Sequence, residues 1–249
     1  METSLPPSEQ TSGTSSSAAP PRPGTAPILA MFAAPWALAV SNGAYAWATR
    51  AGGGDSTGAE ALALAEAHPG LIRLSTVAAL LGCLLMVPAV VGARRLLVDR
   101  GRKLGSVGAL LMGAGYICYF GIAFAGNVTL AMVEHPGNAA DYAAVIDGSQ
   151  SDPSTLWVFL LFVLGNLVGT LLLGLAFLRG RVVPVWAGAA VIAWPVLHVA
   201  GLIVGSEWFE VAGACLEGVG LAVAGARLGR PSMRPRRAVR RTAARPVIR

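Results

Sequence analysis

The sequence predicts an all-α protein of the polytopic membrane class, a bundle of six transmembrane helices. Of its 249 residues, 54% are apolar and only 13% are charged, whereas a soluble domain carries about 25% charged residues. The mean hydropathy is +0.61, and this leaves too little polar surface to cover a globule in water. The composition excludes an ordinary water-soluble enzyme, and it excludes disorder for most of the chain.

Six apolar segments are long enough to cross the hydrocarbon core of a bilayer, which takes about 20 helical residues. They are predicted as helices because hydrocarbon offers backbone N–H and C=O groups no partner outside the segment. A Ser-, Thr- and Pro-rich tail at 1–25 is expected to be disordered and cytoplasmic; the helical domain follows at 26–228, and an Arg-rich tail at 229–249. The predicted spans are 27–49, 72–93, 105–133, 155–178, 182–204 and 208–227.

Small residues at helical spacing indicate how the helices associate, because close backbone contact replaces the hydrophobic drive in lipid. The fourth segment carries Gly165 and Gly169, and packing within one bundle is favoured over a dimerisation face. The last two segments are joined only by residues 205–207, which predicts a tight antiparallel hairpin. The third segment carries a stripe made of Gly105, Ala109, Gly113, Gly121 and Ala125.

The distribution of charge predicts the orientation of the chain in its membrane. Seventeen of the nineteen basic residues fall on one side of the six spans, and only Arg50 and Arg73 fall on the other. The loops on that other side are acidic. Because Lys and Arg are retained in the cytoplasm during insertion, both termini are predicted to be cytoplasmic, in a multi-pass protein of a bacterial cytoplasmic membrane.

Four polar residues within the spans are the candidates for a functional site: Glu217, His198, Asn166 and Asn42. A charge at the bilayer centre costs roughly 3 kcal/mol, so Glu217 is expected to face the bundle and to be partnered or protonated. Depth counting places the four residues around one outward-opening cavity, with Glu217 as a proton- or cation-linked group. The alternative is a protonated Glu217 that only holds helices together. Glu210 is expected to be a solvated residue near the interface.

A metal-binding receptor or membrane-embedded enzyme is the alternative function, built from outer acidic residues and the histidines His68, His135 and His198. The spacing of these histidines does not match a helical ligand pair, so no metal, cofactor or catalytic residue is assigned. Cys83, Cys118 and Cys215 lie singly in apolar runs and are interpreted as small apolar fillers.

The C-terminal tail is interpreted as a contact for anionic lipid headgroups. It is rich in arginine and has no aromatic residue on which a base could stack, so no nucleic acid is expected as a partner. A homo-oligomer or another membrane protein is a further possible partner. The headgroup contacts assigned to this tail are Arg234, Arg236, Arg237, Arg240 and Arg241.

The stretches LIRLSTVAALLGCLLMVPAVVGARRLL and LGSVGALLMGAGYICY give the chain a general character that resembles uncharacterised six-helix membrane proteins of actinobacteria. The resemblance covers about residues 26–230 and implies a fold and a location, without a chemistry. The function expected from the sequence is that of a small-solute or ion carrier or an accessory membrane subunit, and an enzyme is the less favoured interpretation.

Overall fold

The computed structural model describes residues 24–98, 100–135 and 137–230, and this part of the chain consists of eight helices and their connections, without a β-strand. Six of its helices are long and apolar enough to cross a membrane, which confirms the predicted all-α six-helix bundle. Residues 1–23 and the five tail arginines assigned to lipid contact lie outside the described residues. The helices are α1 (Thr25–Thr49), α2 (Gly58–Ala67), α3 (Pro69–Leu96), α4 (Arg102–Glu134), α5 (Ala139–Ser151), α6 (Pro153–Gly180), α7 (Val185–Val204) and α8 (Trp208–Gly229).

The six spans form a closed ring in chain order. Each packs against its neighbours in the sequence α1, α3, α4, α6, α7 and α8, and α8 closes the ring by packing against α1. Successive spans run in opposite directions, since each connection between them lies at one end of the bundle. One end of the bundle, here the acidic end, holds residues 50–68, 135–152 and 205–207. The opposite end, here the basic end, holds residues 97–101 and 181–184.

Several spans are longer than their hydrophobic segments because capping residues start the helices in the flanking polar sequence. Pro69 and Pro153 occupy the first turns of α3 and α6, where a missing backbone N–H costs nothing. The Asp152 side chain accepts a hydrogen bond of 2.7 Å from the backbone N–H of Ser154. Hydrogen bonding from the Ser154 side chain, together with this backbone bond, lowers the pKa of that carboxyl. At the predicted hairpin, Gly205 ends α7 with φ of 70°, in the left-handed region that glycine adopts readily.

Many large apolar side chains face outward, unlike those of a water-soluble bundle, and many of the buried positions are small residues. Ile203, Val185 and Leu110 are 80%, 76% and 74% exposed, whereas Ala34, Ala89 and Ala187 are fully buried. Lipid solvates the outer side chains, so burial inside the ring depends on close packing. These features establish an integral membrane protein with several spans.

Most of the buried apolar side chains inside the ring lie in its basic half, and a second, smaller apolar cluster consists of Ala39, Trp194 and Ala214. The main core contains Met31 of α1, Met86 of α3, Met112 of α4, Phe177 of α6 and Leu221 of α8, all fully buried. Each of these residues lies toward the end of its helix that points to the basic end. A continuous packed layer therefore closes the bundle on that side.

Glycines bring α4 and α6 into backbone contact. A methyl group added at Gly165 would lie 2.6 Å from Cα of Gly115, and one at Gly169 would lie 2.9 Å from Cα of Met112. The close face of α4 is thus centred on Gly108 and Gly115, whereas a methyl group at Gly121, in the predicted stripe, would meet nothing within 4 Å. The glycines of the fourth segment serve packing within the bundle, as the sequence favoured.

Two short helices occupy the acidic loops, where the sequence analysis assigned no structure. Thr57 and Asn138 cap α2 and α5 with their side-chain oxygens. The backbone N–H of Gly58 donates a 2.6 Å hydrogen bond to Asp147 of α5. These caps and this cross-link hold α2 and α5 together over the acidic end.

The close glycine contact predicts a strong effect of one added methyl group. Gly165→Ala should lower the unfolding free energy by about 1–3 kcal/mol, because the backbones of α4 and α6 must separate. Gly121→Ala is the matched control, with an equal or higher stability because alanine favours a helix. Thermal unfolding in detergent measures both, and equal stabilities of the two variants would contradict the contact.

Candidate functional site

The acidic half of the ring encloses a polar cavity of about 350 Å³, here called the acidic cavity. Its walls come from α1, α2, α3, α4 and the start of α8, and residues of the loop after α1 border it. Three carboxylates line it: Asp55, Glu207 and Glu210. The hydroxyl and amide groups in its lining are those of Ser41, Asn42, Tyr45, Ser75, Thr76, Tyr119 and Thr129.

The carboxylates of the acidic cavity influence one another. Partial burial raises the pKa of Glu207, and the nearby charges of Glu210 and Asp55 raise it further, while His198 acts in the opposite direction. The two other carboxylates thus make this side chain easier to protonate than an isolated glutamate. The cavity therefore brings three acidic side chains close enough to affect one another.

A second, smaller cavity adjoins the first, with Asn42, Tyr119 and Glu210 lining both. This deep cavity has a volume of about 30 Å³, close to the space of a single water molecule. His198 and Asn166 line it, so the structure brings three of the four sequence candidates, Asn42, Asn166 and His198, to one place.

His198 and Glu210 form an ion pair at the junction of the two cavities when the imidazole is protonated. His198 Nδ1 lies 2.9 Å from Glu210 Oε1 without the alignment of a hydrogen bond, and the two side chains are 19% and 21% exposed. The ring of Trp194, one turn earlier on α7, stacks on the imidazole with centroids 5.1 Å apart. Glu210 is therefore partly buried and paired, and the expectation of a solvated residue was wrong.

Buried polar atoms without hydrogen-bond partners continue from the deep cavity into the bundle. Among the described residues, these atoms include Asn166 Oδ1 and Thr170 Oγ1, one turn apart on α6, and Glu217 Oε1 on α8. All three side chains are at least 96% buried. An unpaired polar atom in this environment costs free energy, and its presence is typical of a functional site rather than of a packing core.

Glu217 does not line either cavity. It lies farther along α8 than Glu210, toward the basic end. It is 1% exposed and sits between Glu210, two turns earlier, and Leu221 of the packed core. The structure therefore separates Glu217 from the other three candidates and places it at the boundary between the cavities and the packed layer.

Several lining residues were missed by the sequence analysis because they are hydroxyl residues or loop acids. Ser41 and Ser75 approach each other across α1 and α3, with their hydroxyl oxygens 3.2 Å apart. The neighbouring polar pair Ser75–Thr76 inside an apolar segment was the available signal, since hydroxyl groups in a span seek a bundle interior. Asp55 has no such signal, because its position depends on how the loop after α1 folds.

The two basic residues of the acidic end are occupied by local partners. Arg73 forms an ion pair with Glu134. The guanidinium of Arg50 lies 4.6 Å from the ring centroid of Trp47 and donates to the Trp47 carbonyl. Neither arginine lines the acidic cavity, so the charge of that cavity is set by its carboxylates.

The histidine-based metal site has no counterpart in the described part of the chain. His68 lies at the junction of α2 and α3, His135 at the end of α4 and His198 within α7. Within residues 24–98, 100–135 and 137–230, no three His, Cys, Asp or Glu side chains are grouped so as to hold a metal ion.

Comparisons with protein-family models, with curated proteins and with solved structures find no match to this chain.

The unpaired carboxyl predicts how substitution of Glu217 changes stability. Glu217→Met keeps the side-chain length and removes the unpaired polar atom, so the unfolding free energy should rise by about 1 kcal/mol. Glu217→Gln is the matched control and should unfold like the unsubstituted protein. Thermal unfolding in detergent measures both variants. If Glu217 instead stabilises the bundle by a hydrogen bond to a neighbouring helix, the Glu217→Met variant would be less stable than the unsubstituted protein.

Proposed function

We propose that the protein is a carrier that takes up a small organic cation through the acidic cavity. The observation behind the proposal is the set of three carboxylates, Asp55, Glu207 and Glu210, in the lining of one cavity. Among the described residues, the lining contains no lysine or arginine. A concave wall of one charge sign raises the local concentration of the opposite ion.

The size and the aromatic lining of the cavity favour an organic cation. Its volume of about 350 Å³ is near the lower end of small-molecule sites and far exceeds the space of a bare metal ion. Tyr45 and Tyr119 contribute aromatic rings to the lining. Aromatic faces beside carboxylates attract substituted ammonium groups through both charge and cation–π contact.

We place the acidic end outside the cell and both terminal segments in the cytoplasm of a bacterium. The support is the charge distribution, with seventeen of nineteen basic residues on one side of the spans. One exception, Arg73, is paired with Glu134. In this orientation the cavity faces the outside and the packed core faces the cytoplasm.

The His198–Glu210 pair supplies the link to protons. A protonated His198 and a bound cation compete for the same Glu210 carboxylate, since the imidazole nitrogen lies 2.9 Å from it. Binding of the cation therefore favours the neutral imidazole and release of its proton.

The position of Glu217 favours a carrier over a receptor. Seven residues, or about 10 Å of helix, separate it from Glu210 on α8. A cation that moves from the acidic cavity toward the cytoplasm meets this carboxylate next, at the boundary of the packed core. Pro195 within α7 provides a point at which the helix can bend to open that boundary.

Substitution of Glu210 tests binding. With radiolabelled tetraethylammonium as the probe, Glu210→Gln should weaken binding by at least about tenfold, because the central carboxylate is lost. Glu66→Gln is the matched control: this exposed acid of α2 is at the acidic end but does not line the cavity. Equal affinities of the two variants, or no binding to the unsubstituted protein, would refute the cation site.

Substitution of Glu217 tests movement across the membrane. Glu217→Gln should leave tetraethylammonium binding unchanged, since the residue does not line the cavity, and should lower proteoliposome uptake by about tenfold or more. Uptake is driven by an imposed pH gradient. If the folded variant takes up tetraethylammonium at an undiminished rate, Glu217 is not part of the transport path. This result would not contradict the proposed binding site in the acidic cavity.

The pH dependence of binding follows from Glu207. Its pKa is raised, so its negative charge is complete above the raised pKa and is lost as the pH falls through it. This loss begins at a higher pH than for an ordinary glutamate, whose pKa is about 4.3. In a His198→Gln background, which removes the competing imidazole, binding should weaken first through this step. Adding Glu207→Gln should remove that step, and an unchanged pH profile would contradict its assignment.

A further inference from the structure

A groove of about 530 Å³ runs between α3 and α4 at the basic end, on the surface that faces lipid. Leu110 and Ile117 border it and are 74% and 63% exposed. Small residues, Ala109, Gly113 and Ala114, form its floor on the α4 side. The groove is a recess that lipid must fill, because water is excluded at this depth.

The groove has the length of one leaflet. On α4 it extends from Ser106 to Ile117, which is eleven residues or about 16 Å of helix. This is about half of the 30 Å hydrocarbon core of a bilayer. An acyl chain that enters from the leaflet at the basic end would follow the groove to its closed end near the bilayer centre.

Arg94 lies at the end of the groove nearest the basic end of the bundle. Arg94 Nε donates a 3.0 Å hydrogen bond to the Ser106 hydroxyl, which ties the last turn of α3 to the first turns of α4. Both residues line the groove. The bond uses Nε and leaves the two terminal NH₂ groups of the guanidinium, whose geometry suits the oxygens of a phosphate.

The charge around this arginine is strongly positive. Residues 94–103 include five basic residues and one acidic residue, Asp99. Arg100, Arg102, Lys103 and Arg179 border a second surface depression, which includes the first turns of α4. Basic pockets between helices at the cytoplasmic side of a membrane bind anionic headgroups.

We propose that the α3–α4 groove is a binding site for an anionic phospholipid of the leaflet at the basic end. Its phosphate lies at Arg94, and one acyl chain lies along Val87, Val91 and Gly113. Bound there, the lipid covers the seam between α3 and α4 next to the packed core. The site is separate from the acidic cavity and does not depend on what that cavity binds.

Native mass spectrometry of the full chain tests the site, with phosphatidylglycerol and phosphatidylcholine titrated separately. We expect one phosphatidylglycerol to bind more tightly than phosphatidylcholine. Arg94→Gln should weaken phosphatidylglycerol binding about five-fold. Gly113→Leu should weaken both lipids, because a methyl group at Gly113 meets only Val90, at 3.5 Å, and a longer side chain would fill the groove.

Two variants are matched controls. Arg227→Gln removes an exposed arginine of α8 at the same end of the bundle, away from the groove. Gly121→Leu adds the same side chain to α4 at a position with open space around it. Both should bind phosphatidylglycerol like the unsubstituted protein.

Three outcomes would overturn the proposal. Equal affinity for the two lipids would mean an unselective crevice. Equal losses with Arg94→Gln and Arg227→Gln would mean a diffuse electrostatic attraction. Loss of a dimer with Gly113→Leu, at unchanged lipid binding, would mean that the groove holds a second copy of the chain. Arg94→Gln changes an exposed side chain and should fold. It therefore tests the contact with the lipid headgroup even if Gly113→Leu does not fold.

Discussion

Close approach of helix backbones in the basic half of the ring is the contact on which the rest of the structure depends. Lipid gives neighbouring helices no hydrophobic reason to associate, so the ring must gain its stability from tight packing. Glycines at the α4–α6 contact allow that packing, and methionine, phenylalanine and leucine fill the space inside. One half of the bundle is thereby closed, and the other half is free to carry polar side chains.

The polar half contains buried polar atoms that lack hydrogen-bond partners, and these atoms lie close to the proposed functional site. Asn166, Thr170 and Glu217 each keep a buried oxygen without a partner, at a cost in stability. A bundle selected for stability alone would fill these positions with apolar residues. They lie between the acidic cavity and the packed core, which is where the proposed transport path would run, and loss of stability at a site of function is common in proteins.

The spans could be predicted well, since crossing hydrocarbon requires length and apolarity and the sequence displays both directly. The hairpin at residues 205–207 also followed from chain length alone. The helices α2 and α5 were missed because they are short and lie in polar loops, where hydropathy carries no signal. Their existence depends on caps at Thr57 and Asn138 and on the contact of Gly58 with Asp147.

The sequence indicated how deep the candidate residues lie along their helices, but not which way their side chains face. Counting along the helices placed His198 between Glu210 and Glu217, Asn166 in mid-span and Asn42 in the outer half, and the structure brings Asn42, Asn166 and His198 to one cavity. Glu217 has a suitable depth as well, but the packing of α8 against α1 and α7 directs it below the cavity floor. The face of α4 that contacts α6 also differs from the predicted stripe of small residues. The rotation of a helix about its axis depends on its neighbours in the ring, and the sequence does not show it.

The most direct measurement is the accessibility of Asn42, which lines both cavities. A cysteine is placed there in intact cells after Cys83, Cys118 and Cys215 are replaced by alanine. The account predicts that a membrane-impermeant cationic thiol reagent modifies Asn42→Cys from outside, and does so faster than an anionic reagent of similar size. Lack of modification from outside, or faster reaction with the anionic reagent, would contradict an acidic cavity open to the cell exterior.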